Sequence, residues 1–178
     1  MRTKLIEKYF STDSVGIEIG VHLGEFSKIL VDTCKPKLFY AVDPWIVFED
    51  PKYENAIYGK QFNQKQLDER YKFVKQKFQN DKSVKIIRDY SFNAVKLFED
   101  CFFDWMYLDG DHSYQGVLSD LENFGQKIKP GGYIIGDDYK KGKWWKDGVI
   151  NAVDDFVTDN EFDIIETKYE QFVLKKYA

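Results

Sequence analysis

The chain has 178 residues, of which 43% are hydrophobic and 17% aromatic, and its formal charge at pH 7 is -4. A chain of this length forms about one domain, and its apolar content excludes a disordered protein. The acidic balance argues against a nucleic-acid partner, because nucleic-acid-binding domains are usually strongly basic. The two cysteines, Cys34 and Cys101, are too few for a disulfide scaffold. We expect both to be reduced residues of the core.

The N-terminal segment carries charges where a secretory signal needs an apolar run, and no stretch approaches the ~20 apolar residues of a membrane span. We therefore expect a cytoplasmic protein with no membrane contact. Because neither a linker nor an internal repeat interrupts the chain, we predict one domain over residues 1–178.

Apolar runs alternate with helical patterns, which is typical of a parallel sheet with helices on both faces. The resulting prediction is an α/β domain with a seven-stranded, mostly parallel sheet that ends in an antiparallel hairpin. Ser91 and either Asp111 or Ser113 are predicted helix N-caps, and residues 130–132 (Pro-Gly-Gly) predict a turn. The predicted strands are 15–19, 38–42, 84–87, 105–108, 133–135, 162–166 and 171–174. The predicted helices begin at 26 and cover about 61–78, 91–98, 113–128 and 148–157.

The loop after the first strand contains closely spaced glycines, and such a turn lets the backbone approach a ligand at a helix N-terminus. A dinucleotide fingerprint would read Gly-x-Gly-x-x-Gly, but Glu18 stands where its first glycine would be. A second acid, Asp43, ends the next strand. Two carboxylates at these places suit a ligand with an amino group and a ribose diol. A sharp turn that binds some other ligand is the alternative.

The acid-x-Gly-x-x-x-Gly pattern of Glu18, Gly20 and Gly24 resembles the first motif of class I S-adenosylmethionine-dependent methyltransferases. Within them the chain looks most like small metal-assisted O-methyltransferases, in the group whose second strand ends in Asp-Pro-Trp, here residues 43–45. The resemblance covers nearly the whole chain. It implies a Rossmann-like three-layer sandwich and S-adenosylmethionine as cofactor. The cofactor-binding residues that it implies are Glu18, Gly20, Gly24, Asp43, Tyr90, Ser91 and Asp109, although Ser91 is equally well explained as a helix cap alone.

Aspartates follow two consecutive strands of the predicted sheet, so they should meet at its carboxyl edge. Like charges ~4 Å apart repel by about 4 kcal/mol at an effective dielectric of 20. The cluster must therefore be solvated, partly protonated or neutralised by a cation. Oxygen ligands favour a hard divalent ion, Mg²⁺ first. The resemblance assigns Asp109, Asp137 and Asp138 to this metal, and solvated loop acids are the alternative.

The predicted reaction is methyl transfer to a hydroxyl group, which a cation would acidify and a general base would deprotonate. The resemblance implies Asp111 as the base. Chemistry suggests His112, since an imidazole titrates near neutral pH. The alternatives are that Asp111 is only a helix cap and that His112 is only packed or solvated.

A basic loop with two tryptophans, residues 140–146, follows the acidic pair at the mouth of the predicted site. Its lysines suit a phosphate or carboxylate, and a tryptophan suits a sugar or aromatic ring. We expect a small-molecule acceptor, either a sugar or an anionic metabolite. The first strand begins after only about 14 residues, so no long N-terminal extension is expected over the site, and selectivity must lie in aromatic loops or across a homo-oligomer interface.

Two other functions remain open at this point. One is a nicotinamide-dependent oxidoreductase, against which Glu18 argues. The other is a non-catalytic ligand-binding domain of the same fold.

Overall fold

Seven strands form one sheet in the computed structural model, which describes residues 2–178. The strands are β1 (Val15–Ile19), β2 (Leu38–Asp43), β3 (Val84–Arg88), β4 (Phe103–Leu108), β5 (Ile128–Gly136), β6 (Phe162–Lys168) and β7 (Gln171–Lys176). Their order across the sheet is β3-β2-β1-β4-β5-β7-β6. The first five are parallel, and β7 lies antiparallel between β5 and β6. The predicted Rossmann-like α/β fold with a C-terminal antiparallel hairpin is confirmed.

Helices cover both faces of this sheet and bury one apolar cluster against each. The clusters place α1, α2 and α3 on one face and α4, α5 and α6 on the other, which gives three layers. The amphipathic pattern of each long helix explains this arrangement, because its apolar stripe must be removed from water. The helices are α1 (Thr3–Tyr9), α2 (Glu25–Cys34), α3 (Gln64–Lys77), α4 (Ser91–Ala94), α5 (Tyr114–Gly125) and α6 (Gly148–Asp159), with 3₁₀ turns at Pro51–Tyr53 and Val95–Leu97.

Two of the predicted helix starts have different outcomes. Ser113 is the N-cap of α5, and its hydroxyl accepts a hydrogen bond from the Gly116 N–H at 3.1 Å. The prediction for Ser91 is wrong, because Tyr90 holds the N-cap position of α4 and gives no side-chain cap. Ser91 is already the first helical residue, so its hydroxyl is free for other contacts.

The Pro-Gly-Gly segment at 130–132 is not the predicted turn between a helix and the next strand, because it lies inside β5. Phe103 pairs with Ile128 and Trp105 pairs with Tyr133, so the register shifts between these two pairs. The extra residues form a bulge, which suits Gly131 with its φ of 76°. Turn residues can therefore be accommodated without ending the strand.

The N-terminal helix α1 is absent from the prediction, although Leu5 and Ile6 are fully packed into the core. Of the cysteines, Cys34 is buried as predicted, whereas Cys101 is exposed and corrects the prediction. Cys101 lies in the turn before β4, and such turns run over the protein surface. Within residues 2–178, no helix has the length and apolarity that crossing a membrane requires.

Candidate active site

A cleft of about 1370 Å³ runs along the carboxyl ends of the parallel strands. Loops after β1, β2, β3, β4 and β5 all contribute to its walls, as expected for a ligand site in an open α/β sheet. The lining includes eight of the residues named from the sequence: Gly20, Asp43, Tyr90, Ser91, Asp109, Asp111, His112 and Asp138. The sheet therefore brings together residues that are more than one hundred positions apart in the chain.

Gly20 fits the glycine loop tightly against the end of β4. Its φ is 91°, and a Cβ atom at this position would lie 2.1 Å from the backbone carbonyl oxygen of Asp109. Its N–H donates to the Val42 carbonyl oxygen at 2.9 Å, which ties the loop to β2. Only glycine permits both this backbone conformation and this close approach. Gly24 has a φ of 65° and is the N-cap of α2, without a side-chain cap.

Glu18 lies behind the cleft wall and is only 1% exposed. Its carboxyl group accepts a hydrogen bond from the Ser27 hydroxyl of α2. Burial raises the pKa of Glu18 to about 8, and the charges of Asp109 and Asp43 add to the shift, whereas the hydrogen bond from Ser27 opposes it. In this position Glu18 joins β1 to α2 beneath the glycine loop.

Asp43 fastens the glycine loop to the segment after β2. One carboxylate oxygen accepts from the N–H groups of Val21 and His22, each at 2.9 Å. The same oxygen accepts from the Tyr58 hydroxyl at 3.0 Å, and the other accepts from the Trp45 N–H at 2.8 Å. Burial raises the pKa of Asp43, and these donors work against that shift. The predicted contact with a ribose diol would have to share a carboxylate that already has four donors.

The far end of the cleft is aromatic and contains a buried acid that the sequence analysis missed. Tyr90 stacks on Phe92 with ring centroids 5.1 Å apart. Asp120 of α5 is 5% exposed and lines the cleft. Burial raises the pKa of Asp120 to about 7; the Ser91 side chain opposes this shift and Asp111 reinforces it. An acid on the apolar face of α5, next to Leu121, was the signal that could have revealed it.

An arginine from the N-terminus neutralises the acidic end of the cleft. The Arg2 guanidinium donates to Asp109 Oδ2 at 2.7 Å and forms an ion pair with Asp137. It also donates to the Tyr107 hydroxyl at 2.9 Å and lies 4.5 Å from the centroid of the Phe26 ring. Burial and the charge of Asp109 raise the pKa of Asp137 to about 6, and Arg2 limits this rise. No pattern in the sequence pointed to Arg2.

His112 lies between two of the acids. Its Nε2 atom is 3.1 Å from Asp138 Oδ2 and 3.3 Å from Asp109 Oδ1. Neither oxygen lies along the N–H direction, so these are charge contacts without a directed hydrogen bond. Burial by itself would lower the pKa of His112, but the two carboxylates outweigh it and raise the pKa to about 9. His112 is therefore protonated at neutral pH in this arrangement and has no free lone pair with which to act as a base.

Asp111 combines a structural contact with a position in the cleft. Its Oδ1 accepts from the Ser113 N–H at 2.8 Å, at the start of α5. Its Oδ2 accepts from the Tyr53 hydroxyl at 2.5 Å. Ser113, and not Asp111, is therefore the N-cap of α5, while Asp111 braces the turn before the helix and lines the cleft.

The donor atoms that could hold a metal ion differ in one member from the predicted set. Asp109, His112 and Asp138 each offer one ligand atom, and these atoms lie within 4.8 Å of one another. The predicted third aspartate, Asp137, is not in this group, because its carboxylate faces Arg2. Two carboxylates and one imidazole form a donor set that divalent ions accept. His112 would have to release its Nε2 proton to bind such an ion, and metal binding drives that release.

Aromatic and basic side chains form the outer wall of the cleft. The Tyr53 and Trp144 rings meet edge to face at 5.8 Å, and the ring of Trp145 lies 5.1 Å from that of His112. The lysines of the 140–146 loop also line this wall, as their place after the acidic pair predicted; they are Lys140, Lys141 and Lys143.

Sheet order and cleft together define an α/β domain with a cleft beside the first βα loop. A family model described as "Methyltransferase domain" matches residues 17–139. The chain therefore belongs to this methyltransferase domain family.

One curated protein that the chain resembles is the uncharacterized protein R132 of Acanthamoeba polyphaga mimivirus, which is 26% identical over 158 residues. The match covers 87% of this chain and spans 64% of the length of that protein.

Solved structures share the fold at low sequence identity. A Corynebacterium glutamicum protein matches 100% of this chain and 81% of its own chain, with a TM-score of 0.69 and 11% identity. The O-methyltransferase NovP has a TM-score of 0.63 and 18% identity, over 94% of this chain and 73% of its own. A Burkholderia thailandensis 1,6-didemethyltoxoflavin-N1-methyltransferase, solved with bound 1,6-didemethyltoxoflavin and S-adenosylhomocysteine, has a TM-score of 0.61 and 10% identity, over 94% of this chain and 72% of its own.

Proposed function

We propose that the chain transfers a methyl group from S-adenosylmethionine to a hydroxyl group of a small molecule, with assistance from a divalent cation. The observation that carries the proposal is the contact between the glycine loop and the acidic cluster. Gly20 packs directly on the backbone of Asp109, whose side chain belongs to that cluster. A cofactor seated on the loop would thus end beside the acids. Family membership and the S-adenosylhomocysteine bound to the Burkholderia thailandensis enzyme support the choice of cofactor.

The cofactor half of the cleft offers a fixed backbone surface. Asp43 holds the N–H groups of Val21 and His22 in place, so the loop keeps its shape without a ligand. The start of α2 has no side-chain cap, which leaves N–H groups for an anionic group such as the methionine carboxylate. At the other end, Tyr90, Ser91 and Asp120 provide an aromatic face and polar atoms for an adenine base.

The acceptor half of the cleft contains the side chains that could activate the acceptor hydroxyl. A divalent cation held by Asp109, His112 and Asp138 would lower the pKa of an acceptor hydroxyl and fix its position. Asp111 lines the same cleft, and we assign it the role of general base, because a cation at this group would occupy the lone pair of the neighbouring His112. Tyr53 donates to Asp111 and orients its carboxylate. Transfer of the hydroxyl proton of the acceptor to Asp111 would leave the acceptor oxygen as the nucleophile that attacks the methyl group of S-adenosylmethionine, with S-adenosylhomocysteine as the leaving group.

The outer wall favours a ring-bearing, anionic acceptor. Trp144 and Tyr53 offer ring faces and edges, and Lys143 is an exposed cation at the mouth. A sugar that carries a phosphate or carboxylate, or an acidic aromatic metabolite, matches both features. We propose a small molecule of this class as the partner, with no role for nucleic acid or membrane.

Isothermal titration with S-adenosylhomocysteine and with NAD, each with and without Mg²⁺, tests the cofactor. We expect S-adenosylhomocysteine to bind and NAD to show no heat. If S-adenosylhomocysteine gives no binding at high micromolar concentration, the methyltransferase proposal fails. Binding of NAD instead would favour an oxidoreductase.

Turnover on a panel of hydroxyl and amine acceptors, with and without excess chelator, tests the reaction type. Unchanged activity in chelator would remove the metal from the proposal and leave methyl transfer intact. Methylation of amines alone would replace the O-methyl assignment.

Asp138→Asn should abolish turnover and leave affinity for S-adenosylhomocysteine nearly unchanged, because the proposed metal binds and activates the acceptor. A large loss of cofactor affinity in this variant would contradict that division.

A further inference from the structure

The partly exposed side chain of Arg2 is held in place by several specific contacts. Its guanidinium stacks on Phe26 and donates to the hydroxyl of Tyr107, a side chain with no exposed surface. The same hydroxyl accepts from Gln171 Nε2 at 2.8 Å, which fixes its position from the other side. Aromatic stacking together with fork-like hydrogen bonding is the geometry in which arginine differs most from lysine.

The arginine is also tethered. It directly precedes α1, whose Leu5 and Ile6 are 2% and 0% exposed, so the helix holds the side chain over the carboxyl edge of the sheet. From there the guanidinium bridges the aspartates that follow two different strands, Asp109 after β4 and Asp137 after β5. A positive charge of the chain itself thereby offsets part of the negative charge of the two acids.

The two carboxylate oxygens of Asp109 face different groups, which a bound cation would bring into conflict. Its Oδ2 faces Arg2, and its Oδ1 lies in the donor group with His112. A divalent cation at this group would place two positive charges close to a third on the guanidinium, and like charges at such distances repel strongly in a partly buried site. Asp137, which the resemblance assigned to the metal, cannot turn toward an ion while it is paired with Arg2.

We propose that Arg2 is a tethered counterion that competes with a divalent cation for Asp109 and Asp137, so that metal entry requires the N-terminal arginine to leave. The inference deepens the proposed function, because it concerns how the same acidic cluster is loaded. The N-terminal segment thereby controls the state of the cluster.

The test is the affinity of Mn²⁺ alone for the full chain, measured by electron paramagnetic resonance of free Mn²⁺ at low ionic strength. Arg2→Gln removes the charge and keeps hydrogen-bonding capacity, and it should bind Mn²⁺ more tightly than the wild type by about tenfold or more. Arg2→Lys keeps the charge without the planar fork, and it should lie between the two. Lys4→Gln is the matched control, because it removes an exposed positive charge from the same helix, and its affinity should equal that of the wild type.

Equal Mn²⁺ affinities in the wild type and Arg2→Gln would overturn the proposal, as would the absence of binding in both. If Arg2→Gln does not fold, Arg2→Lys decides alone: tighter binding than the wild type supports competition, and equal binding refutes it. Titration with S-adenosylhomocysteine remains a separate measurement. A chain that fails to bind that ligand but shows the expected Mn²⁺ order would lose its proposed function and keep the arginine competition.

Discussion

The two halves of the cleft, which we propose bind the cofactor and the acceptor, hold their carboxylates in different ways. In the cofactor half, Glu18 and Asp43 are almost fully buried, and every hydrogen bond that they accept comes from a neutral N–H or O–H group. In the acceptor half, the carboxylates are partly exposed and pair with charged side chains. Those pairs are Arg2 with Asp109 and Asp137, His112 with Asp109 and Asp138, and Lys140 with Asp138.

This difference separates carboxylates that hold the loop in shape from carboxylates whose charged partners can be exchanged. Backbone N–H groups of Val21 and His22 in the glycine loop and of Trp45 in the segment after β2 fix both oxygens of Asp43. The cations of the other half come from side chains of three separate segments, and an incoming cation can replace them without unfolding the loop. We therefore expect substitutions in the first half to cost stability and cofactor affinity, and those in the second to change ion and acceptor binding.

Gly20→Ala should have the largest effect on the cofactor half. The new Cβ would lie 2.1 Å from the Asp109 carbonyl oxygen, and the φ of 91° is unfavourable for alanine. The loop must move away from β4, so we expect a loss of more than about 3 kcal/mol in the free energy of unfolding and no measurable affinity for S-adenosylhomocysteine. Urea unfolding and calorimetry provide the two measurements.

Gly131→Ala is the matched control for backbone strain. Gly131 also has a positive φ, of 76°, but a Cβ there meets no atom within 4 Å. Its loss should be only about 1 kcal/mol, with cofactor affinity unchanged. Equal losses in the two variants would show that the close approach of the loop to β4 contributes nothing.

Asp43→Asn should have the next largest effect. An amide offers one accepting oxygen instead of two, so the Val21, His22 and Tyr58 donors or the Trp45 donor would lose their partner. We expect a loss of about 2 kcal/mol in stability and a tenfold or greater loss of affinity for S-adenosylhomocysteine, both measurable as above. Asp32→Asn, at an exposed acid paired with Lys28 on α2, should change neither. An unaffected Asp43→Asn protein would mean that the loop does not depend on this carboxylate.

The sequence was sufficient for the sheet because alternating apolar runs and helical patterns determine an α/β layer order directly. It failed where local signals conflicted with tertiary packing. The Pro-Gly-Gly segment has the composition of a turn, yet pairing with β4 keeps it in β5 as a bulge. Helix α1 is only seven residues long, too short for periodicity to reveal it, and packing of Leu5 and Ile6 stabilises it.

The same distinction applies to the site. Asp109, Asp111 and His112 follow a strand end, so chain topology alone predicts that they reach the cleft. Two of the side chains that contact these acids come from elsewhere: Arg2 from the N-terminal segment and Tyr53 from the loop after β2. Only the folded structure shows that Arg2 takes Asp137 out of the donor group, because no local pattern encodes a contact 135 residues away.

Glu18→Gln should change how stability depends on pH. Burial raises the pKa of Glu18 from 4.5 to about 8, so the folded state keeps a proton that the unfolded chain releases above pH 4.5. The folded state binds more protons between these values, and stability therefore falls as pH rises through this window and levels off above about 8. Glutamine has no proton to lose, so the variant should show a weaker decline, by on the order of 1 kcal/mol.

Urea unfolding at several pH values between about 5 and 8 provides the comparison. Asp120 and Asp137 also have raised pKa values, but they are present in both proteins and cancel in the difference. Glu25→Gln, at an exposed acid of the same loop region, should follow the wild type. Parallel curves of stability against pH for the wild type and Glu18→Gln would show that folded Glu18 is ionised over this pH range. The proposal that Glu18 is a protonated, uncharged group behind the cleft would then fail.

Lys140→Gln should have the smallest effect and tests the acceptor half. Lys140 is 39% exposed and pairs with Glu170 and, at 3.4 Å, with Asp138. Exposed ion pairs contribute little, so the loss in stability should stay below about 1 kcal/mol and decrease further in high salt. The lost charge should instead raise affinity for Mn²⁺ slightly, because one cation no longer competes at Asp138. A loss above about 2 kcal/mol would mean that these charges are fixed structural partners, and the contrast between a rigid cofactor half and an exchangeable acidic half would fail.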